Sequence, residues 1–218
     1  MGNDHRAGAV HVRSRMERQG LIVLLDTSDD LLAASQELGM SVGQLLTPLT
    51  RFRNRGGKFA IDNGAFAGFQ RQQFLSLLER EYPNRNRCLF VVVPDVVGSA
   101  RRTLEVFERW LPMLAGWPLA LAAQDGQEDL PIPWDSLSAL FIGGTTKFKM
   151  SQEAEAIIRA AQELGKWVHV GRVNTPARMD RFLDLGVDSC DGTGLSRFSW
   201  MRKEVADLEL QPKLIGAV

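Results

Sequence analysis

A chain of 218 residues can form one domain with a substantial hydrophobic core, and its 44% hydrophobic and 24% charged residues are typical of a globular protein. Its 26 basic and 26 acidic residues cancel to a formal net charge of +0, which excludes a global electrostatic attraction to nucleic acid or membranes. A polyanionic ligand would therefore have to bind a local basic patch.

Neither a membrane span nor a secretion signal is predicted. No apolar run approaches the roughly 18 residues that a membrane helix needs, and residues 1–20 are polar and arginine-rich. Cys88 and Cys190 fall in strand-like segments, which favours buried reduced thiols in a cytoplasmic protein. No cysteine or histidine spacing predicts a metal site, and we expect no cofactor. We predict a flexible segment over residues 1–20 and a single folded domain over residues 21–218.

The chain starts with a strand and a helix. The apolar run 21–25 predicts the strand, and the Asp26-Thr27-Ser28 cluster after it predicts a helix N-cap. The helix covers 29–38 and ends at Gly39. We interpret residues 41–57 as a connector with short helical character. Its basic run, for which a solvated surface is the commoner outcome, consists of Arg51, Arg53, Arg55 and Lys58.

The rest of the chain alternates apolar runs of strand length with segments of helical periodicity. Predicted strands cover residues 58–61, 88–93, 118–123, 139–142, 167–170 and 187–191. Predicted helices cover residues 71–82, 100–114, 151–164, 175–185 and 198–207, and residues 127–136 form a loop. Ser99 is expected to cap the second of these helices.

The strands end in polar or glycine residues and are joined by helices at short spacing, which predicts a parallel sheet with right-handed crossovers. About seven strands are convincing, and a closed barrel has about eight. We therefore predict an α/β fold, a compact (β/α)8 TIM-like barrel that is incomplete or has trimmed helices. An open doubly wound sheet is the alternative, disfavoured because no phosphate-cradling motif follows the first strand.

In a barrel, the carboxyl ends of all strands meet at one mouth. That would gather around one cavity the residues Asp62, Asp95, Gln124, Gly143, Gly144, His169, Arg172, Asp188 and Asp191. Carboxylates accept hydrogen bonds from ring N–H and amino groups, glutamine both donates and accepts, and glycine amides can bond a ring carbonyl. The set favours recognition of a planar, amide-bearing ring, and a second carboxylate could attack an electrophilic sugar carbon.

These residues also have plain structural interpretations. Asp62 and Asp191 each precede a glycine turn that they could simply cap. His169 lies in an alternating strand, where a satisfied structural histidine is as plausible as a contact to a base or phosphate. Asp188 and Asp191 are three residues apart and would face opposite sides of a regular strand, so only one of them would point inward.

Several short motifs, taken in order, resemble the tRNA-guanine transglycosylase superfamily, most closely its short phage and bacterial relatives that place 7-deazaguanines into DNA. The likeness runs from about Lys58 to about Arg197. The motifs are Asp-Asn-Gly-Ala-Phe at 62–66, Pro-Asp at 94–95 followed by Ser99, Arg101 and Trp110, Gln-Asp-Gly at 124–126, Ile-Gly-Gly at 142–144 and Gly-Val-Asp-Ser-Cys-Asp at 186–191.

The resemblance implies a role for each candidate residue. Asp191 would be the nucleophile that bonds to the anomeric carbon of the sugar, with Asp188 as its rival, and Asp62 would be the general acid and base. The substrate-binding set would comprise Asp95 at the guanine-type edge, Gln124, Gly143 and Gly144 at the ring carbonyl, and Phe66, His169, Arg172 and Asp188 nearby.

One departure from the family bears on the substrate. Full-length tRNA enzymes carry a zinc subdomain associated with tRNA binding and dimer formation, and this chain lacks the cysteine and histidine cluster for it. We therefore expect DNA rather than tRNA, with a 7-deazaguanine such as 7-cyano-7-deazaguanine as the incoming base, and a homodimer stays open. Phosphate contacts are expected from Arg51, Arg53, Arg55, Lys147, Lys149, Arg172, Arg197, Arg202 and Lys203.

Two other functions remain compatible with the residues. One is a barrel enzyme that hydrolyses or transfers a free nucleoside or sugar phosphate. The other is a non-catalytic nucleic-acid-binding module, whose binding would depend on salt but not on the acidic residues.

Overall fold

Eight parallel strands in the described part of the chain close into a barrel. The computed structural model describes residues 20–26, 31–50, 54 and 56–210, with side chains up to residue 207. The strands are β1 Ile22–Leu25, β2 Ser41–Leu46, β3 Phe59–Ile61, β4 Cys88–Val92, β5 Leu119–Ala123, β6 Ala139–Ile142, β7 Trp167–Val170 and β8 Ser189–Asp191. Each strand pairs with the next, and β8 pairs with β1, which confirms the predicted TIM-like barrel.

Helices cover the outside of the barrel in the part of the chain that is described. They are α1 Leu31–Leu38, α2 Arg71–Glu81, α3 Ala100–Trp110, α4 Thr146–Lys149, α5 Gln152–Glu163, α6 Pro176–Leu185, α7 Thr193–Arg197 and α8 Ser199–Leu210. The predicted cap Ser99 is confirmed, since its side chain accepts from the Arg102 N–H. Between β5 and β6 the chain forms only two short 3₁₀ turns, Gln127–Asp129 and Trp134–Ser136, which confirms the predicted trimming.

Some predictions fall on residues outside the described set. These are the loose segment 1–19, the capping residues Thr27 and Ser28, and the arginines Arg51, Arg53 and Arg55. Lys58 from the same basic run is described and exposed.

Strand β2 was not predicted from the sequence. The prediction of a connector with helical character over 41–57 is wrong, because 41–46 pairs in parallel with β1 and β3. Gly43 interrupts the strand pattern, yet its lack of a side chain is required there. A Cβ atom at this position would lie 2.8 Å from Leu24 Cδ2 and 2.8 Å from the Lys58 carbonyl oxygen. Glycine thus permits close approach of β2 to its neighbours.

Both faces of the strands are buried, so most of them read as continuous apolar runs. The barrel interior is filled by side chains such as Leu24, Phe90 and Ala120, and the outer faces pack against the helices. Alternation along β7 and β8 sends Val168 outward and His169 inward, where its ring lies against Phe90. Polar residues at inward-facing strand positions are therefore candidates for a functional role.

The two cysteines are free thiols, as predicted. Cys190 is buried on the outer face of β8, and Cys88 is half-buried at the start of β4. Burial raises the pKa of both thiols, that of Cys88 to about 12, so neither is a ready nucleophile. Among the helices of the described ranges, none is long and apolar enough to cross a membrane.

Substitution of Gly43 tests the close packing of β2. We expect Gly43→Ala to lower the free energy of unfolding by about 1–3 kcal/mol, because the added methyl group overlaps Leu24 and the backbone of Lys58. Gly57→Ala is the matched control, since a Cβ there has no atom within 4 Å. Urea denaturation measures both, and equal midpoints for the two variants would contradict the packing.

Candidate active site

A pocket of about 70 Å³ opens at the carboxyl ends of the strands. The structure brings together in its lining most of the residues predicted to share a cavity: Asp62, Asp95, Gln124, Gly143, Gly144, Arg172 and Asp191, together with Phe66. Each of them ends a strand or follows one within a few residues. The convergence follows from barrel closure, because strands distant in sequence end at the same rim.

Asp95 is held between two side-chain amides. Asn63 Nδ2 donates to Oδ1 at 2.8 Å, and Gln124 Nε2 donates to Oδ2 at 2.6 Å. The Gly98 N–H donates to Gln124 Oε1 at 3.0 Å, which fixes the orientation of that amide. Burial raises the pKa of Asp95, and the two amide hydrogen bonds oppose the shift. A carboxylate oxygen accepts more than one hydrogen bond, so Asp95 can still receive donors from a ligand.

Asp62 follows β3 and lies between other acidic groups. Its Oδ1 accepts from the Gly64 N–H at 2.7 Å, in a turn where Gly64 has a φ of 76°. Burial raises the pKa of Asp62 to about 7, the Gly64 hydrogen bond opposes this, and the charges of Asp191 and Asp95 add to it. A carboxyl group with a pKa near neutrality can both give and take a proton, as a general acid and base must.

Asp191 ends β8 and is oriented by contacts from β7 and from the turn that follows β7. Its Oδ2 lies 3.0 Å from His169 Nε2, and its Oδ1 accepts from the Arg172 N–H at 3.0 Å. The residue is only 8% exposed, and the exposed part faces the pocket. The carboxylate is thus held in one orientation with an edge open to a ligand.

Arg172 adopts a backbone conformation that is rare for a residue with a side chain. Its φ is 58°, and no other non-glycine residue in the described ranges has a positive φ. This turn directs its N–H to Asp191, while its Nη2 donates to the Gly144 carbonyl at 2.8 Å. The guanidinium lies 4.1 Å from the ring centroid of Phe66. Strain of this kind is found where the local geometry serves a site.

The glycine pair after β6 differs from the prediction in one respect. The Gly143 N–H donates to the Ala123 carbonyl at 2.9 Å, so the expectation that it bonds a ring carbonyl is wrong. Its lack of a side chain matters instead, because a Cβ at Gly143 would lie 2.8 Å from Gln124 Nε2. Gly144 is the remaining glycine of the pair that can offer its amide to the pocket.

Two predicted site residues do not line the pocket. Asp188 precedes β8, at the opposite end of the strand from Asp191, and its Oδ2 accepts from the Val168 N–H at 2.7 Å. His169 is fully buried between the rings of Phe90 and Phe141, and it contacts Asp191 rather than the cavity. Direct substrate contacts by Asp188 and His169 are therefore wrong expectations.

Two predicted phosphate contacts are also wrong. Lys149 is buried, its Nζ donates to the Gly171 carbonyl at 2.7 Å, and burial together with the Arg172 charge lowers its pKa to about 8. Arg202 donates to Glu37 Oε2 at 2.6 Å and to a backbone carbonyl. The exposed candidates in the described ranges are Lys147, Arg197 and Lys203.

A second cavity of about 290 Å³ adjoins the pocket and was not predicted. The two share Asp62, Phe66, Arg172 and Asp191. The further lining is rich in hydroxyl and charged groups, from Asp26, Thr47, Thr193, Ser196 and Arg197. Asp26 follows β1 as the other polar residues follow their strands, and this position was the signal that could have identified it.

The described ranges contain no group of three or more His, Cys, Asp or Glu side chains suited to a metal ion. No protein-family model matches the sequence, and no curated protein matches it either. The fold and site therefore define the protein only as a (β/α)8 barrel with an acidic pocket at its mouth.

The environment of Asp62 predicts a pH-dependent stability. Folding moves its pKa from 3.8 to about 7, so between these values the folded state holds a proton that the unfolded chain has lost. The free energy of unfolding should fall as pH rises through this window. Asp62→Asn keeps an oxygen for Gly64 without the charge, so its stability relative to the wild type should rise by up to about 4 kcal/mol from pH 4 to pH 8.

Urea denaturation of both proteins at the two pH values measures this difference. Asp135→Asn, at an exposed aspartate outside the pocket, is the control and should show little change relative to the wild type. An Asp62→Asn effect that is the same at both pH values would show that the pKa of Asp62 is not raised.

Proposed function

We propose that the protein is a transglycosylase that exchanges guanine for a 7-deazaguanine in nucleic acid through an aspartyl-sugar intermediate. The observation that carries the proposal is the shared pocket of three differently held carboxylates: Asp95 between two amides, Asp62 with a raised pKa, and Asp191 oriented by β7. The motif resemblance from about Lys58 to about Arg197 supplies the substrate class.

The Asp95 end of the pocket suits a guanine-type edge. Such an edge presents adjacent N–H and amino donors beside a carbonyl, which calls for a carboxylate next to a donor. Asp95 supplies the acceptor, and the second N–H of Gln124 Nε2 and the amide of Gly144 supply donors for the carbonyl. Apolar atoms from Val92, Ala122 and Phe141 line the same pocket and can contact the faces of a planar ring.

Asp191 and Asp62 then take complementary roles. An oxygen of Asp191 attacks the anomeric carbon, so the carbon–oxygen bond forms as the glycosidic carbon–nitrogen bond breaks, and the departing base takes a proton from Asp62. The incoming base returns its proton to Asp62 and attacks the same carbon, which releases Asp191. The pKa of about 7 for Asp62 suits both steps at neutral pH.

The second cavity can accept the sugar of the target nucleotide. It meets the pocket at Asp62 and Asp191, where the glycosidic bond would lie. Its hydroxyl groups, Thr47, Thr193 and Ser196, can hydrogen-bond sugar oxygens, and Arg197 can reach a phosphate. Base and sugar would thus occupy adjoining spaces on the two sides of the reacting carbon.

Exposed aromatic residues around the mouth favour a polymer over a free nucleoside. Phe66 is 70% exposed, and Phe198 and Trp200, beside Arg197, are 47% and 54% exposed and stack with ring centroids 6.1 Å apart. Exposed rings beside cationic side chains are the means by which proteins hold unpaired bases. We propose DNA rather than tRNA as the polymer, as expected from the sequence.

Asp191→Asn tests the proposed nucleophile. The variant should lose at least about a thousandfold in incorporation of labelled guanine or 7-cyano-7-deazaguanine, because an amide cannot form the ester. Asp188→Asn, just before the same strand, is the matched control, and it should keep its activity since its amide oxygen can still accept from Val168. Incorporation is measured with DNA and tRNA in parallel.

Other outcomes of this assay support other functions. Release of guanine without incorporation of a new base would indicate a hydrolase. Salt-dependent binding with no turnover, untouched by Asp62→Asn or Asp191→Asn, would indicate a binding module. Incorporation that survives in Asp191→Asn would overturn the assignment of the nucleophile.

Trp200→Ala tests whether the exposed aromatic residues at the mouth bind the polymer. Loss of one stacking surface should raise KM for the polymer by roughly tenfold and leave kcat within about twofold of the wild type, because the ring lies outside the reacting pocket. Leu164→Ala is the control, since Leu164 is exposed just before β7, at the other end of the barrel. An unchanged KM in Trp200→Ala would show that the Trp200 ring does not contribute to polymer binding.

A further inference from the structure

A continuous chain of hydrogen bonds crosses the barrel interior behind Asp191. Trp167 Nε1 donates to Ser189 Oγ at 2.8 Å, Ser189 Oγ lies 2.9 Å from His169 Nδ1, and His169 Nε2 lies 3.0 Å from Asp191 Oδ2. Ser189 and His169 are fully buried. This series of hydrogen bonds therefore connects Trp167, at the amino-terminal end of β7, to the proposed nucleophile Asp191.

The direction of each hydrogen bond follows from the chemistry of the two ends. An indole N–H can only donate, so Ser189 Oγ accepts from Trp167 and has its own hydrogen left for His169 Nδ1. A carboxylate can only accept, so His169 Nε2 must carry the proton that is shared with Asp191. All of these donors and acceptors are satisfied together when His169 is the neutral tautomer with hydrogen on Nε2.

The other protonation states leave a buried group unsatisfied. A proton on Nδ1 alone would place the bare Nε2 against the lone pairs of Asp191. An imidazolium would donate to Ser189 Oγ, which already accepts from Trp167, and the serine hydrogen would then have no acceptor among the described residues. The rings of Phe90 and Phe141 flank His169 at centroid distances of 5.0 and 4.8 Å. These apolar rings provide no carboxylate or carbonyl oxygen as an alternative acceptor for a proton on the imidazole.

We propose that His169 is a positioning residue, held by Ser189 and Trp167 as the neutral Nε2–H tautomer, which orients the Asp191 carboxylate for attack. The catalytic part rests on the proposed function, whereas the tautomer is a property of the protein alone. The bond from Nε2 to Oδ2 persists when the other carboxylate oxygen forms the ester. His169 therefore supports the nucleophile in the free enzyme and in the intermediate.

Nitrogen-15 NMR of histidine-labelled protein tests the tautomer without any substrate. The chain has three histidines, and His5 and His11 are identified by substitution. The expected result is a neutral His169 ring with the hydrogen on Nε2 in the wild type, and a changed Nδ1 nitrogen shift in Ser189→Ala, where Nδ1 loses the serine hydroxyl as its donor. A proton on Nδ1, or an imidazolium at pH 7, would overturn the proposal whether or not the protein exchanges bases.

Two substitutions at His169 test the positioning role. His169→Phe keeps a planar ring but removes the donor, and kcat should fall by roughly 10- to 100-fold with little change in KM. The amide of His169→Gln reaches the position of Nε2, so this variant should recover at least about tenfold in kcat over His169→Phe. Urea denaturation of both variants establishes that they are folded at the assay temperature.

The comparison within this pair separates positioning from packing. If His169→Phe retains the kcat of the wild type, or if His169→Gln is no more active than His169→Phe although both are folded, the positioning role is overturned. A wild-type protein that exchanges no base would refute the proposed function, and the tautomer would still be decided by the NMR signal.

Discussion

The site depends on the cost of placing several carboxylates in one partly desolvated pocket. Burial and the neighbouring charges of Asp191 and Asp95 raise the pKa of Asp62, because like charges in a poorly solvated space disfavour ionisation. The structure gives each a different environment. Asp95 receives two amide donors, Asp191 receives a backbone N–H and a histidine, and Asp62 takes the raised pKa of about 7. Different environments make different chemical roles available to the same functional group.

The barrel supplies these environments through strand closure and small residues. Gly43 lets β2 approach Leu24, which completes the ring of strands, and Gly143 leaves space for the Gln124 amide that reaches Asp95. The inward positions of β7 and β8 form a polar column through an otherwise apolar interior, and the column ends at Asp191. The positive φ of Arg172 directs its backbone N–H toward the same carboxylate.

Much of the fold could be predicted from the sequence because buried parallel strands appear as short apolar runs followed by polar residues. The rule worked for β4 and β5 and failed for β2, whose Gly43 and Gln44 conceal a strand that packing, not propensity, requires. The convergence of Asp62 and Asp95 followed from topology. The prediction for Asp188 was wrong because this residue precedes β8. It therefore lies at the amino-terminal end of the barrel, opposite to the pocket.

Contacts between side chains that are distant along the chain could not be predicted from the sequence. Asn63 lies in the turn after β3 and its amide is also buried against Asp95, whereas Lys149, expected to contact phosphate, is buried against Gly171. Only the register of neighbouring strands brings His169 beside Ser189 and within reach of Asp191. Such pairings are set by three-dimensional geometry, since residues that meet across β7 and β8 are about twenty positions apart.

The most direct test of the central claim is rapid quenching of the protein during reaction with its nucleic acid, followed by peptide mapping with mass spectrometry. A sugar-linked adduct is expected on the peptide that contains Asp191, at that side chain. Base exchange that proceeds with the adduct on a different residue, or with no adduct at all, would contradict it.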